Sequence, residues 1–185
     1  MWADKFARIL PKGARILDVG CAGGRDSQKF FKLGFEVTGI DVIDLFVSEA
    51  QKFTPKAKFY KMDLRELKFP ANYFDAIWAN TVLLHFPKTD ILSILKKLKK
   101  VLKKGGKMHI AVKYGRGEKW VADKLSEGQK RFFSYFAKKE LENYIKSAGF
   151  KVVFSQIDKD CAGREELKWV VVWAQKSSRR GWLLG

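Results

Sequence analysis

Cysteine, histidine and proline are all scarce in this chain, with two, two and four copies among 185 residues. Two cysteines, Cys21 and Cys161, cannot build a disulfide scaffold. With only His85 and His109 beside them, no Cys/His cluster stands at zinc-ligand spacing, so no metal is expected. Long apolar runs are missing too. The longest are strand-sized, well short of the ~20 residues of a membrane span. The first ten residues carry Asp4, Lys5 and Arg8 among their apolar side chains, which does not fit a secretory leader. The expectation is a cytoplasmic protein with no membrane partner.

Acidic residues are few as well: 20 Asp and Glu against 37 Lys and Arg, a net charge of +17. Such a charge favours polyanionic partners, RNA among them. Its distribution tempers the inference. The densest cluster, Lys96, Lys97, Lys99, Lys100, Lys103 and Lys104, overlaps apolar residues at helical spacing: Ile91, Ile94, Leu95, Leu98, Val101 and Leu102. That pattern reads first as the solvated outer face of a helix.

What is abundant is core material: 46% of residues are hydrophobic and 14% aromatic, which excludes wholesale disorder. The length fits one domain at ~150 residues each. It is expected to span residues 1–176, with 177–185 a flexible tail. Apolar strand-like runs alternate with helical patterns. Strands are expected at Arg15–Val19, Glu36–Ile40, Ala57–Met62, Phe74–Ala79 and, after a Gly105-Gly106 turn, Lys107–Val112. Helices are expected over Asp26–Leu33 with Asp26 as N-cap, Asp44–Phe53, the lysine-faced stretch behind Pro87, and Lys138–Ala148 ending at Gly149. Two final strands, Lys151–Ile157 and Leu167–Gln175, flank a polar turn with no helix between them, so they should form an antiparallel pair. The alternation predicts an α/β fold with a mostly parallel sheet and a ligand site at the carboxyl ends of its strands.

The stretch Ile16-Leu17-Asp18-Val19-Gly20-Cys21-Ala22-Gly23-Gly24-Arg25-Asp26 runs from a strand through a loop of small residues into a helix. Small residues let a ligand lie against the backbone at a helix N-terminus. A nicotinamide fingerprint needs glycines where this chain has Ala22 and Arg25, and no Lys-Ser/Thr pair follows the last glycine as a phosphate-cradling loop requires. Two further carboxylates, Asp41 and Asp63, end the second and third strands. They are placed to accept from ribose hydroxyls and from an exocyclic amine such as adenine N6. Ribose and base are specified while no phosphate element is, which describes an adenosine without phosphate.

The motifs ILDVGCAGG, VTGID, KMDL, FDAIWANTVLLHFP, LKKGGKMHIAV and KKELENYIKSAGF follow one another in an order and spacing that resembles a class I S-adenosylmethionine (SAM)-dependent methyltransferase. The resemblance covers residues 12–175, and the Gly-Arg-Asp, KYGRGE and KRFFSYF segments look like a small stand-alone subgroup of unassigned substrate. It implies a Rossmann-like seven-stranded sheet in the order 3-2-1-4-5-7-6, strand 7 antiparallel, flanked by helices. It also implies SAM as cofactor and S-adenosylhomocysteine (SAH) as product. Asp18, Gly20, Cys21, Ala22 and Gly24 would line the methionine and ribose portion. Asp41 would bind the ribose with Val42 against the adenine, Asp63 and Leu64 would hold the adenine edge, and Asn80 would border the methionine. Ala22 stands where the family's middle glycine is usual. Residues 80–83, Asn80-Thr81-Val82-Leu83, lack the asparagine-proline-proline-aromatic signature of many DNA and protein amide methylases.

For chemistry, His85 follows the fourth strand and is a candidate general base, or else a hydrogen-bonding partner of its own loop. His109, inside a strand, reads as structural. Lys113-Tyr114-Gly115-Arg116-Gly117-Glu118 and Arg131-Phe132-Phe133-Ser134-Tyr135-Phe136 suit a pocket wall or lid, with Lys113 and Arg131 toward an anionic substrate group. Their aromatics either face a flat substrate or the sulfonium or, the preferred reading, pack under the last helix. The reading is methyl transfer to an unidentified acceptor, a small molecule ahead of tRNA or rRNA. The rivals are a non-catalytic SAM- or SAH-binding subunit and an RNA-binding protein that kept only the fold. Oligomeric state is not legible.

Overall fold

The structure, a computed structural model, describes residues 2–122, 130–160 and 167–178. Cys161, much of the turn before the last strand, and the expected tail from residue 179 onward lie outside the described residues. Along the chain run α1 (Trp2–Ala7), β1 (Arg15–Val19), α2 (Arg25–Lys32), β2 (Glu36–Asp41), α3 (Asp44–Phe53) and β3 (Lys58–Lys61). Then follow β4 (Phe74–Asn80), α4 (Lys88–Val101), β5 (Leu102–Lys113), β6 (Glu118–Ala122), β7 (Lys130–Ser134), α5 (Lys138–Ser147), β8 (Phe150–Lys159) and β9 (Lys168–Lys176).

Seven strands form one sheet in the order β3-β2-β1-β4-β5-β9-β8. The first five are parallel, and β9 runs antiparallel to both β5 and β8. This is the Rossmann-like order expected, with β8 and β9 in the places of strands 6 and 7. The central strands are buried on both faces, and alternate residues feed two cores. Leu17, Ile77 and Ile110 face α4 and α5, while Ile16, Ala76 and Trp78 face α1, α2 and α3. Helix α4 buries Ile91, Ile94, Leu95, Leu98 and Val101 and leaves Lys96, Lys97 and Lys100 exposed, as its 3.6-residue period requires.

One register row crosses all seven strands: Phe59, Gly39, Asp18, Trp78, His109, Trp173 and Phe154. A Cβ on Gly39 would sit 2.5 Å from the Phe59 ring, so only glycine lets that aromatic lie flat there. His109 stacks on Trp78 at 3.7 Å and its Nδ1 accepts from Trp173 Nε1 at 3.0 Å. Full burial drives its pKa down to about 3 and keeps the ring neutral. Trp2 and Phe6 of α1 close over this row.

Three local expectations are corrected. Helix α2 starts at Arg25 with Gly24 as its N-cap, and Asp26 sits inside the first turn. The Asp26 carboxylate is instead taken up by side-chain donors, Arg25 on one oxygen and Trp78 and Asn80 of β4 on the other. Gly105-Gly106 does not precede β5 but lies within it. Pairing jumps from Phe74–Leu102 to Ala76–Lys107, and the residues between bulge out. The KRFFSYF segment, expected as pocket wall or lid or as packing under the last helix, pairs as β7 with β6 in a separate two-stranded sheet.

Candidate functional site

The Gly20–Gly24 loop joins β1 to α2 at the carboxyl edge of the sheet. Gly20 (φ +70°) and Gly24 (φ +84°) adopt left-handed backbone that side chains resist. Their missing Cβ atoms also make room for protein. A Cβ on Gly20 would lie 2.6 Å from Val82 Cγ2, and one on Gly24 2.9 Å from the Ala50 Cβ. Two non-glycine residues at the same edge, Ala22 (φ 45°) and Thr81 (φ 63°), are left-handed as well. Such strain persists only where the surroundings over-determine it.

A cavity of about 570 Å³ opens over this loop, within the range of cofactor sites. Asp18, Gly20, Cys21, Ala22 and Asn80, expected from the sequence, line it together. Arg25, Asp26, Glu49, Phe53 and Thr81 also line it and were not singled out as site residues. Gly24 stands behind the loop against α3. Asp41 is tied to the loop, its Oδ2 accepting from the Ala22 N–H and its Oδ1 from the Ile43 N–H, both at 3.0 Å. Val42 is exposed beside it, whereas the Leu64 side chain is buried in the core, leaving its backbone at the strand end. Asp63 accepts from the Arg65 N–H at 2.8 Å and is gripped by the Arg65 guanidinium, Nη2 to Oδ2 at 2.6 Å. Those hydrogen bonds hold its carboxyl below the ordinary range.

The cavity is acidic although the chain is basic. Among the described residues, Asp18, Asp26 and Glu49 line it against a single cation, Arg25, whose Nε is itself bound to Asp26 Oδ1 at 2.9 Å. Asp18 is buried, and burial raises its pKa to about 7, with the nearby Asp26 and Asp41 charges adding to the shift. The Ser27 hydroxyl, donating to Asp18 Oδ2 at 2.6 Å, opposes it. The Cys21 thiol is pushed up by burial and by the charges of Asp18 and Asp41, which makes it a poor nucleophile.

His85 and Arg131 are brought together, outside the lining of this cavity. The β6–β7 hairpin rests on the turn Leu83–His85 that follows β4, where Ser134 Oγ donates to the Phe86 carbonyl at 2.7 Å. His85 Nδ1 lies 3.2 Å from the Phe132 carbonyl and Nε2 3.0 Å from Arg131 Nη2. A carbonyl only accepts and a guanidinium only donates, so Nδ1 carries the proton and Nε2 accepts from Arg131. Lys113, at the end of β5, places Nζ 3.5 Å from the Phe133 ring centroid. The hairpin thus gathers His85, Lys113 and Arg131 around one aromatic ring. Trp120, on its outer strand, is 66% exposed.

A loop-lined cavity at the carboxyl edge, where β1 and β4 diverge, is the ligand position of an open α/β sheet. The family profile described as "Methyltransferase domain" matches residues 17–110, just over half of the chain, and the chain belongs to that family. It is 28% identical over 160 residues to a ubiquinone biosynthesis O-methyltransferase of Xanthomonas axonopodis, covering 79% of this chain. The match spans 66% of that relative's length, just under two thirds. A SAM-dependent methyltransferase from Methanosarcina mazei superposes with a TM-score of 0.85 over 95% of this chain and 98% of its own, at 21% identity. The Burkholderia thailandensis 1,6-didemethyltoxoflavin-N1-methyltransferase, solved with 1,6-didemethyltoxoflavin and SAH, superposes with a TM-score of 0.75 at 25% identity, covering 95% and 78%. No described helix is long and apolar enough to cross a membrane.

Proposed function

We propose that this protein transfers a methyl group from SAM to a small-molecule acceptor, releasing SAH. The observation that carries the reading is an acidic cavity in a chain of net charge +17. A sulfonium and an ammonium suit a lining with three carboxylates and one neutralised cation, and a phosphate does not. Asp18, Gly20, Cys21, Ala22 and Gly24 are assigned to the methionine and ribose portion, with Asn80 bordering the methionine. Asp41 takes the ribose hydroxyls through the lone pairs its two backbone donors leave over, and Val42 lies against the adenine. Asp63 and the Leu64 backbone take the adenine edge, with Asp63 shared between ligand and Arg65.

When bound, SAM supplies a methyl carbon already activated by the positive sulfur. The chain's own work is to align the acceptor and exclude water. Arg131 is assigned to an anionic group of the acceptor. His85 can take a proton from the acceptor only once Arg131 leaves Nε2, because that lone pair is already engaged.

A small acceptor is favoured by two things. Two of the three proteins named above are a ubiquinone biosynthesis enzyme and one solved with 1,6-didemethyltoxoflavin. The exposed Lys96 and Lys100 sit on α4, along the sheet face and away from the cavity's carboxyl edge. The test is labelled SAM with fractionated cell extract. Label in the metabolite fraction supports the reading. Label in RNA overturns the acceptor class, and binding without turnover points to a non-catalytic subunit.

A further inference from the structure

The carboxylate of Asp26 does not cap its own helix. Its Oδ2 accepts from Trp78 Nε1 at 2.9 Å and from Asn80 Nδ2 at 3.1 Å, two residues that β4 projects across the sheet edge. Trp78 is 1% exposed and packed against His109, so its indole N–H is a fixed peg for the carboxylate. With Asp26 Oδ2 accepting, the amide of Asn80 is set with Nδ2 toward Asp26 and Oδ1 turned the other way. Asn80 lines the cavity, and its Oδ1 meets no donor among the described residues. Asp18 opens onto the same cavity from the adjacent strand β1.

We propose that Asp26 is a positioning residue that sets the Asn80 carbonyl as an acceptor for a ligand ammonium, making this end of the cavity selective for an amino-acid cation. The proposal rests on the SAM reading above and deepens it. SAM and SAH share an α-ammonium group, and Asn80, Asp18 and Asp26 line the cavity together, with the Arg25 guanidinium held by its Nε on the other Asp26 oxygen, Oδ1. Without Asp26 the amide is free to flip and present Nδ2, a donor that repels an ammonium. Trp78 Nε1 would also lose its partner, a cost to stability that must be separated from the effect on binding.

The test compares SAH with 5′-methylthioadenosine, which keeps the adenine, ribose and thioether but has no amino-acid end. Titration calorimetry on Asp26→Ala should show SAH affinity lowered by about tenfold to a hundredfold, the size of losing oriented hydrogen bonds to a charged group. Affinity for 5′-methylthioadenosine should stay within about threefold of the wild type. Asp26→Asn, whose amide oxygen can accept from both Trp78 and Asn80, should restore most of the SAH affinity. In an Asn80→Ala background, Asp26→Ala should cost little more, because Asp26 acts through Asn80. Equal loss of both ligands, or additive effects of the two substitutions, would overturn the positioning role and leave the SAM reading standing. A wild-type protein that binds neither ligand overturns both.

Discussion

Ser27 and Asp18 are joined by a 2.6 Å hydrogen bond at the base of the cavity, and both are buried. A single hydroxyl donor does not offset the removal of a carboxylate from water, so Asp18 titrates near 7. Its charge therefore changes across neutral pH.

The sign for stability follows from proton counts. Between about 4 and 7 the folded chain holds a proton on Asp18 that the unfolded chain has lost. This group's contribution is thus fully present below the unfolded value and disappears as pH rises through about 7. Asp18→Asn removes the buried charge and should raise the melting temperature of the ligand-free protein at pH 8 while changing it little at pH 5. A cationic ligand reverses the preference. SAM affinity should rise with pH from 5 to 7 and then level off, with proton release on binding at pH 6. Calorimetry in buffers of different ionisation enthalpy measures that proton, and Asp18→Asn should abolish it.

Asp41 holds the loop through Ala22 and is assigned to the ribose. Asp41→Ala should reduce SAM and SAH affinity by at least ~100-fold, since each charge-assisted hydrogen bond is worth ~1.5–3 kcal/mol. NAD should not bind the wild type in the same calorimetric titration. Wild-type affinity in the variant would remove Asp41 from the ribose site.

Gly20 is needed for packing as well as for its backbone. Gly20→Ala forces a Cβ to 2.6 Å from Val82 Cγ2 at φ +70° and should destabilise the fold by about 2–4 kcal/mol. Val82→Gly removes both the Cγ2 at 2.6 Å and the Cβ at 2.8 Å, so in that background Gly20→Ala should cost only the ~1–2 kcal/mol of backbone strain. Urea denaturation of the single and double variants separates the two contributions. A Gly20→Ala cost as large in the Val82→Gly background as in the wild type would assign the whole cost to the backbone.

His85 and Arg131 share one hydrogen bond, so their substitutions should not be additive in turnover. If His85 is the base, His85→Ala should lower turnover ~10²–10⁴-fold with SAM affinity near normal. Arg131→Ala should impair turnover more than Lys96→Ala combined with Lys100→Ala. The reverse ranking, with activity collapsing between low and moderate salt, would indicate an RNA acceptor.

The order of elements and the first outline of the cavity were legible in the sequence because both are local. Two-residue and 3.6-residue periodicities are written along the chain, and in a parallel sheet the residues that end β1, β2 and β4 must meet at one edge. That is enough to bring Asp18, Ala22, Asp41 and Asn80 together without knowing any contact. What the tertiary structure alone decided depends on partners far apart in sequence. Asp26 reads as a helix cap from the sequence because an Asp at a helix start normally accepts from the backbone N–H groups of the first turn. The register of β1 against β4 supplied Trp78 and Asn80 instead. Ser27 beneath Asp18, the β6–β7 hairpin over His85, and the Arg131 guanidinium on Nε2 arise the same way. Periodicity fixes which face of an element is buried, but packing decides which side chain waits on the other side.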